Sequence, residues 1–184
     1  MKTAEPRAIR CTREDYYRMA EAGLFEGRRV ELIRGEVIEK TPQKSRHPTG
    51  VTLAYTSRTK AFGDGYVVRI QMPLVLGRDS DPEPDVAVVA GTTRDYADAH
   101  PQTAALVVEV AESSLEYDRT TKGPLYAESR IPEYWIVNLV DGQLEVYRKP
   151  EGSAYRERRV LGVSESVEPL AAVGVELRVA DLLP

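Results

Sequence analysis

Apolar and polar residues change rhythm along this chain, and each change marks an element. Thr12 precedes Arg13-Glu14-Asp15-Tyr16-Tyr17-Arg18-Met19-Ala20, and Gly23 follows. A threonine at the cap, acids in the first turn and a closing glycine predict a helix. From Gly27 to Lys40 the apolar positions Val30, Leu32, Ile33, Val37 and Ile38 surround Arg34-Gly35. This pattern predicts a hairpin with its turn at that dipeptide. Thr41 to Thr49 reads as a polar loop carrying His47 and Pro48, and Thr49 to Phe62 as a second helix with Leu53, Ala54 and Ala61 on its apolar side.

Strands follow. Tyr66 to Met72 and Asp85 to Val89 are the first two. Leu106-Val107-Val108-Glu109-Val110 is almost wholly apolar and so reads as a central strand buried on both faces. Ser114 to Ser129 predicts a helix interrupted at Gly123-Pro124. Tyr134 to Val137 and Leu144 to Tyr147 flank Asp141-Gly142, a strong hairpin signal, and Arg156 to Val160 is placed to pair next. This order predicts an α/β chain, a mixed sheet with helices on its faces.

Length and charge narrow the class. A chain of 184 residues fits one domain, taken here as 1–184. No apolar run approaches the roughly 18 residues that span a bilayer, and the polar start lacks a signal-peptide core. A cytoplasmic protein with no membrane association is expected. One cysteine, Cys11, excludes an intrachain disulfide; with only two histidines, His47 and His100, a zinc cluster is excluded too. Any metal would be hard and oxygen-ligated, Mg2+ or Mn2+. A net charge of -4 argues against broad affinity for nucleic acid, though not against a local basic cleft.

Two acids stand out. Glu109 lies among valines, where an unpaired carboxylate costs several kcal/mol to bury (roughly 2–7 even for a neutral polar group), so it needs a cation, an arginine or a metal. Asp85 follows the stiff segment Asp81-Pro82-Glu83-Pro84 and opens an apolar strand. Each alone also fits an ordinary strand-end acid. Together on neighbouring strands they repel unless a cation lies between them. Lys122, thirteen residues after Glu109, begins a helical stretch that can pack back on the sheet. By itself it also reads as a solvated surface lysine.

Arg29-Val30-Glu31-Leu32-Ile33-Arg34-Gly35-Glu36-Val37 resembles the "ELI-x-GE" opening of the large bacterial Uma-two family. His47 after a proline-containing loop, the Pro84-Asp85 strand, the LVVEV strand at 106–110, and Lys122, Tyr126 and Ile131 to Val137 resemble its later blocks, in order. The resemblance covers about residues 12 to 148. It implies a PD-(D/E)XK nuclease core with flanking helices and an added C-terminal hairpin. It further implies Asp85 and Glu109 as metal ligands, with Lys122 replacing the usual lysine two residues after the glutamate, where Ala111 stands. Glu36 or Glu31 would supply an additional acid. Glu36, beside Gly35, is favoured, and His47 is a possible extra site residue. Lys122 is followed by Gly123-Pro124, so the helix is expected to restart there and displace the ammonium.

Three functions are weighed. The first is a metal-dependent DNA endonuclease, expected as a homodimer because a two-fold pair readily cuts both strands. The second is an inactive nuclease-fold protein that binds nucleic acid or a partner protein. The third is an unrelated interaction domain in which Asp85 and Glu109 lie apart. Tyr134 and Trp135 read as core rather than a stacking platform, and Arg156 to Arg159 as a solvated strand face.

Overall fold

The computed structural model describes residues 8–184. Helix α1 (Arg13–Glu21) starts at Thr12, whose hydroxyl accepts from Asp15 N while Asp15 reaches back to the Thr12 N–H. Strands β1 (Val30–Ile33) and β2 (Glu36–Glu39) form the expected hairpin. Both turn residues, Arg34 and Gly35, have positive φ, as a two-residue turn of this hand requires. A Cβ on Gly35 would meet Arg10 Cβ at 2.6 Å, so the approach of the preceding chain also needs glycine.

Helix α2 spans Arg46–Ala61. This corrects the expected loop over 41–49: His47 and Pro48 lie in the first helical turn. Proline is tolerated there because the N–H it lacks would have no intrahelical partner.

Six strands make the main sheet, in the order β3 (Tyr66–Ile70), β4 (Val86–Ala90), β5 (Leu106–Ala111), β6 (Glu133–Asn138), β7 (Gln143–Glu151) and β8 (Ala154–Leu161). Only β5 and β6 run parallel; the other pairs are antiparallel, so the sheet is mixed and ends in the C-terminal hairpin. The short pair β9 (Ser166–Val167) and β10 (Leu177–Arg178) follows.

Alternation along β5 divides the interior in two. Leu106, Val108 and Val110 join Trp135, Val137 and Leu144 in a core covered by α2 and the C-terminal segment. Val107 and Ala111 join Ile33, Leu74, Tyr126 and Ile136 on the opposite face, beneath the hairpin and the last helix. Glu109 shares the parity of Val107, so it faces this second layer.

That last helix runs from α3 (Leu115–Tyr117) through a widened π turn, Asp118–Lys122, into α4 (Gly123–Glu128). The expected interruption at Gly123-Pro124 is therefore corrected. The chain stays helical, with Gly123 N–H donating to Asp118 O. An i-to-i−4 turn would press the proline ring against the carbonyl four residues back; a π turn just ahead of Pro124 eases that clash.

Candidate active site

The site begins with register. Val86 pairs with Val108 and Ala87 with Val107, so one step beyond the ladder Asp85 lies beside Glu109. Asp85 N–H donates to Glu109 Oε2 at 3.3 Å, and Val110 N–H donates to Asp85 Oδ2 at 2.9 Å. Both acids are nearly buried and line one cleft of about 540 Å³, together with Glu31, His47, Asp118 and Lys122. An interaction domain with Asp85 and Glu109 apart does not match this arrangement.

Lys122 lies inside the cluster, not displaced from it. Its Nζ is 3.1 Å from Glu109 Oε1 and 3.3 Å from Glu31 Oε1. Tyr126, one α turn later, donates its hydroxyl to the same Glu109 Oε1 at 2.7 Å. The π turn sets Asp118 and Lys122 on the buried side. Asp118 accepts from Ser114 Oγ at 2.6 Å.

Of the two hairpin acids, the structure places Glu31 with the others and leaves Glu36 out. Glu31 is buried in β1, accepts from Glu83 N–H at 3.0 Å and lies 3.6 Å from Lys40 Nζ. Glu36 sits beside the turn, exposed, 3.1 Å from Arg10. The preference for Glu36 is thus corrected. Glu36 stands on the outer strand β2, where water reaches the carboxylate, whereas β1, bridged to Asp81 through Leu32, presses Glu31 inward. His47, on the first turn of α2, brings Nε2 to 3.1 Å from Asp85 Oδ2.

Gln71 and Lys40, outside the expected set, also reach the shell. Gln71 donates through Nε2 to Asp85 Oδ1 at 3.1 Å, and Lys40 donates to Glu83 O at 2.8 Å. In sequence Gln71 is only the polar end of a strand pattern, and nothing there marks its partner.

Four carboxyl groups therefore surround one buried lysine. Burial pushes Glu109 up to about 8; Lys122 opposes the shift, while Asp118, Asp85 and Glu31 add to it. Burial also raises Asp118, to about 6, against Lys122 and Ser114. Burial opposes the charge of Asp85 as well, yet His47, Val110 N–H and Gln71 together hold its carboxyl below the usual range. Glu31 is likewise lowered despite burial, by Lys122 and Lys40. Lys122 itself is pushed well up, because the surrounding acids outweigh its burial. The cleft carries more acid than its own cations neutralise, an arrangement suited to a further cation.

Among the described residues, no three His, Cys, Asp or Glu side chains are already arranged to hold a metal. The pair Asp85 and Glu109 still fits a magnesium-like ion, which takes one or two carboxylates and completes its shell with water and phosphate. Among the described residues, Asp85 Oδ1 and Glu109 Oε2 each have one hydrogen-bond partner, which leaves each oxygen a further lone pair for a cation.

No helix among the described residues is long and apolar enough to cross a membrane. Tyr134 and Trp135 are fully buried, as core side chains.

Comparison with known proteins gives the same outline. No curated protein matches this chain. Among solved structures, a protein described as "a putative nuclease belonging to DUF820 from Anabaena variabilis ATCC 29413" superposes with a TM-score of 0.74. It is 15% identical, with 94% of this chain and 97% of that one covered, a likeness that shows a common fold. The family model Uma2, described as "Putative restriction endonuclease", matches residues 13–180. Matched over that length, the chain belongs to the Uma2 family.

Proposed function

We propose that this protein is a metal-dependent endonuclease that hydrolyses phosphodiester bonds in DNA, with Asp85 and Glu109 holding Mg2+ or Mn2+. The observation that carries this reading is the adjacency of those two acids, in register on neighbouring strands, with Lys122 Nζ 3.1 Å from Glu109 in the same cleft. The names given to the family and to the structural neighbour point the same way. When bound, the metal supplies a Lewis acid for the phosphate and acidifies a water molecule.

The chain's own groups do the rest. Lys122 places a fixed positive charge where negative charge develops on phosphorus oxygens. Tyr126 and Lys122 hold Glu109 Oε1 and leave Oε2 toward Asp85. His47 keeps Asp85 oriented and carries a proton beside it; Asp85 holds that imidazole above its ordinary pKa in spite of burial. Hydrolysis adds a water oxygen to phosphorus, breaks one P–O ester bond and delivers a proton to the departing oxygen. Because the whole chain is acidic, the phosphate backbone must be met locally, by Lys40 and Lys44 at the cleft.

The test is nicking of supercoiled plasmid with Mg2+, with Mn2+ and with EDTA, alongside Asp85→Asn and Glu109→Gln. Loss of about 10²-fold or more in rate is expected for each variant. Cleavage that survives both substitutions rules the assignment out. A parallel RNA substrate distinguishes the nucleic acid cut, and light scattering of the protein on a sizing column tests the expected homodimer.

The absence of a ready-made three-residue ligand set among the described residues favours a second reading, a nuclease fold that binds nucleic acid or a partner protein without cutting it. DNA binding that is independent of Mg2+, with no nicking, selects it.

A further inference from the structure

Gln71 is the one residue of the site whose backbone is strained. Its φ is +47°, in the left-handed region that non-glycine residues rarely occupy. It stands just past β3, and its N–H is shared between Pro84 O at 3.1 Å and Asp85 O at 3.2 Å. The segment carrying Asp85 is thus locked to Gln71 through the main chain. The side chain makes a second connection. Nε2 donates to Asp85 Oδ1 at 3.1 Å, and Oε1 accepts from Arg29 Nη2 at 3.2 Å.

These two partners fix which end of the amide faces which group. A flipped amide would set its oxygen against a carboxylate and its NH2 against a guanidinium, two repulsive contacts in place of two hydrogen bonds. Arg29 immediately precedes β1 and is tied to the hairpin by its carbonyl, which accepts from Lys40 N–H at 2.8 Å. A chain therefore runs from the hairpin through Arg29 and Gln71 to the oxygen of Asp85 that has fewest other partners. Among the described residues, Asp85 Oδ2 is already occupied by Val110 N–H and His47, whereas Oδ1 meets Gln71 alone.

We infer that Gln71 is a positioning residue that fixes the Asp85 carboxylate for divalent-cation binding, and that Arg29 in turn orients Gln71. This rests on the reading of Asp85 as a metal ligand. The strain at Gln71 is the local sign of that role, since a non-glycine residue in the left-handed region persists only when the surroundings demand it.

Strain also supplies the control. Asparagine and glycine tolerate positive φ, but asparagine is one methylene too short to reach Asp85 and glycine has no side chain. Gln71→Asn and Gln71→Gly should keep or raise the metal-free melting temperature while weakening Mn2+ binding in calorimetry by about 10- to 100-fold. Arg29→Ala should produce a smaller loss in the same direction. In metal-free crystals of the Gln71 variants, Asp85 should occupy a second rotamer that the parent protein lacks. Wild-type Mn2+ affinity in Gln71→Gly overturns the inference. Asp85→Asn that binds Mn2+ normally, or a parent protein that binds none, instead removes the ligand reading. In that case a single unchanged Asp85 rotamer in Gln71→Gly still overturns the inference, and a second rotamer sustains the orienting role.

Discussion

Glu109 shows what one buried acid demands of its neighbours. It lies among Val107, Val108 and Val110, all fully buried, and its compensation comes from Lys122 and Tyr126 on another element. Lys122 also answers Glu31, so one ammonium serves two acids. Burial keeps Glu109 largely protonated at neutral pH, so the charge that Lys122 answers there is chiefly that of Glu31, and removing the lysine leaves it undercompensated. Lys122→Met should cost about 3 kcal/mol at neutral pH. Urea denaturation measures this, and the loss should shrink in mild acid as the acids take up protons. Unchanged stability at pH 7 would mean that the lysine is not structurally required. The contrast between Glu31 and Glu36 is also settled at this scale. Both share strand parity with an apolar neighbour that faces the sheet, Ile33 and Ile38 respectively, so alternation alone cannot separate them. What separates them is the strand each stands on: β1 bridges to Asp81 through Leu32 and is mostly buried, whereas β2 is the outer strand and none of its residues is fully buried.

At the scale of elements, α2 and β5 meet unusually closely. A Cβ on Gly50 would lie 2.8 Å from Val110 Cγ1, so the helix carrying His47 rests on the strand carrying Glu109 with no space for a methyl group. Gly50→Ala gains about 1 kcal/mol of helix propensity but forces this contact apart, at a cost of about 1–3 kcal/mol. A net loss of stability is expected. In a Val110→Ala background the same substitution should become neutral or stabilising, because the obstructing methyl is gone. Additive effects in the double mutant would contradict this account of the packing. Close packing here fixes where the first turn of α2 stands, and with it the imidazole beside Asp85.

Across the whole molecule, Glu145 joins distant parts of the chain. Fully buried on β7, it accepts from Arg119 on the π turn, Arg158 on β8, the Tyr147 hydroxyl at 2.6 Å and Asn138 Nδ2 at 3.2 Å. Burial opposes its charge, but Arg119, Tyr147 and Arg158 prevail and bring its pKa from the ordinary 4.5 to about 2. The folded protein therefore binds this proton less readily than the unfolded chain. The stabilisation is complete above about pH 4.5 and disappears as pH falls toward 2. Glu145→Gln should lose about 2 kcal/mol at pH 7, since the arginines keep partial access to water, and should flatten the stability profile between pH 5 and 2. Unfolding curves at several pH values compare the two proteins. An unaltered acid limb would show that other carboxylates govern it.

Sequence by itself determined the local elements and the two central acids. Thr12 and Asp15 cap α1, Arg34-Gly35 forces the hairpin turn, and the LVVEV run can only be a buried strand, because these signals act between residues close in the chain. The anomaly of Glu109 was equally legible, as a charge with no local partner. Tertiary structure decided what answers it. Lys122, Glu31, His47 and Gln71 reach the cleft from four separate elements, and their electrostatic roles depend on distances that no periodicity encodes. The continuity of the last helix through Pro124 was likewise decided by packing, which favours a widened turn over a break when both Asp118 and Lys122 must be buried.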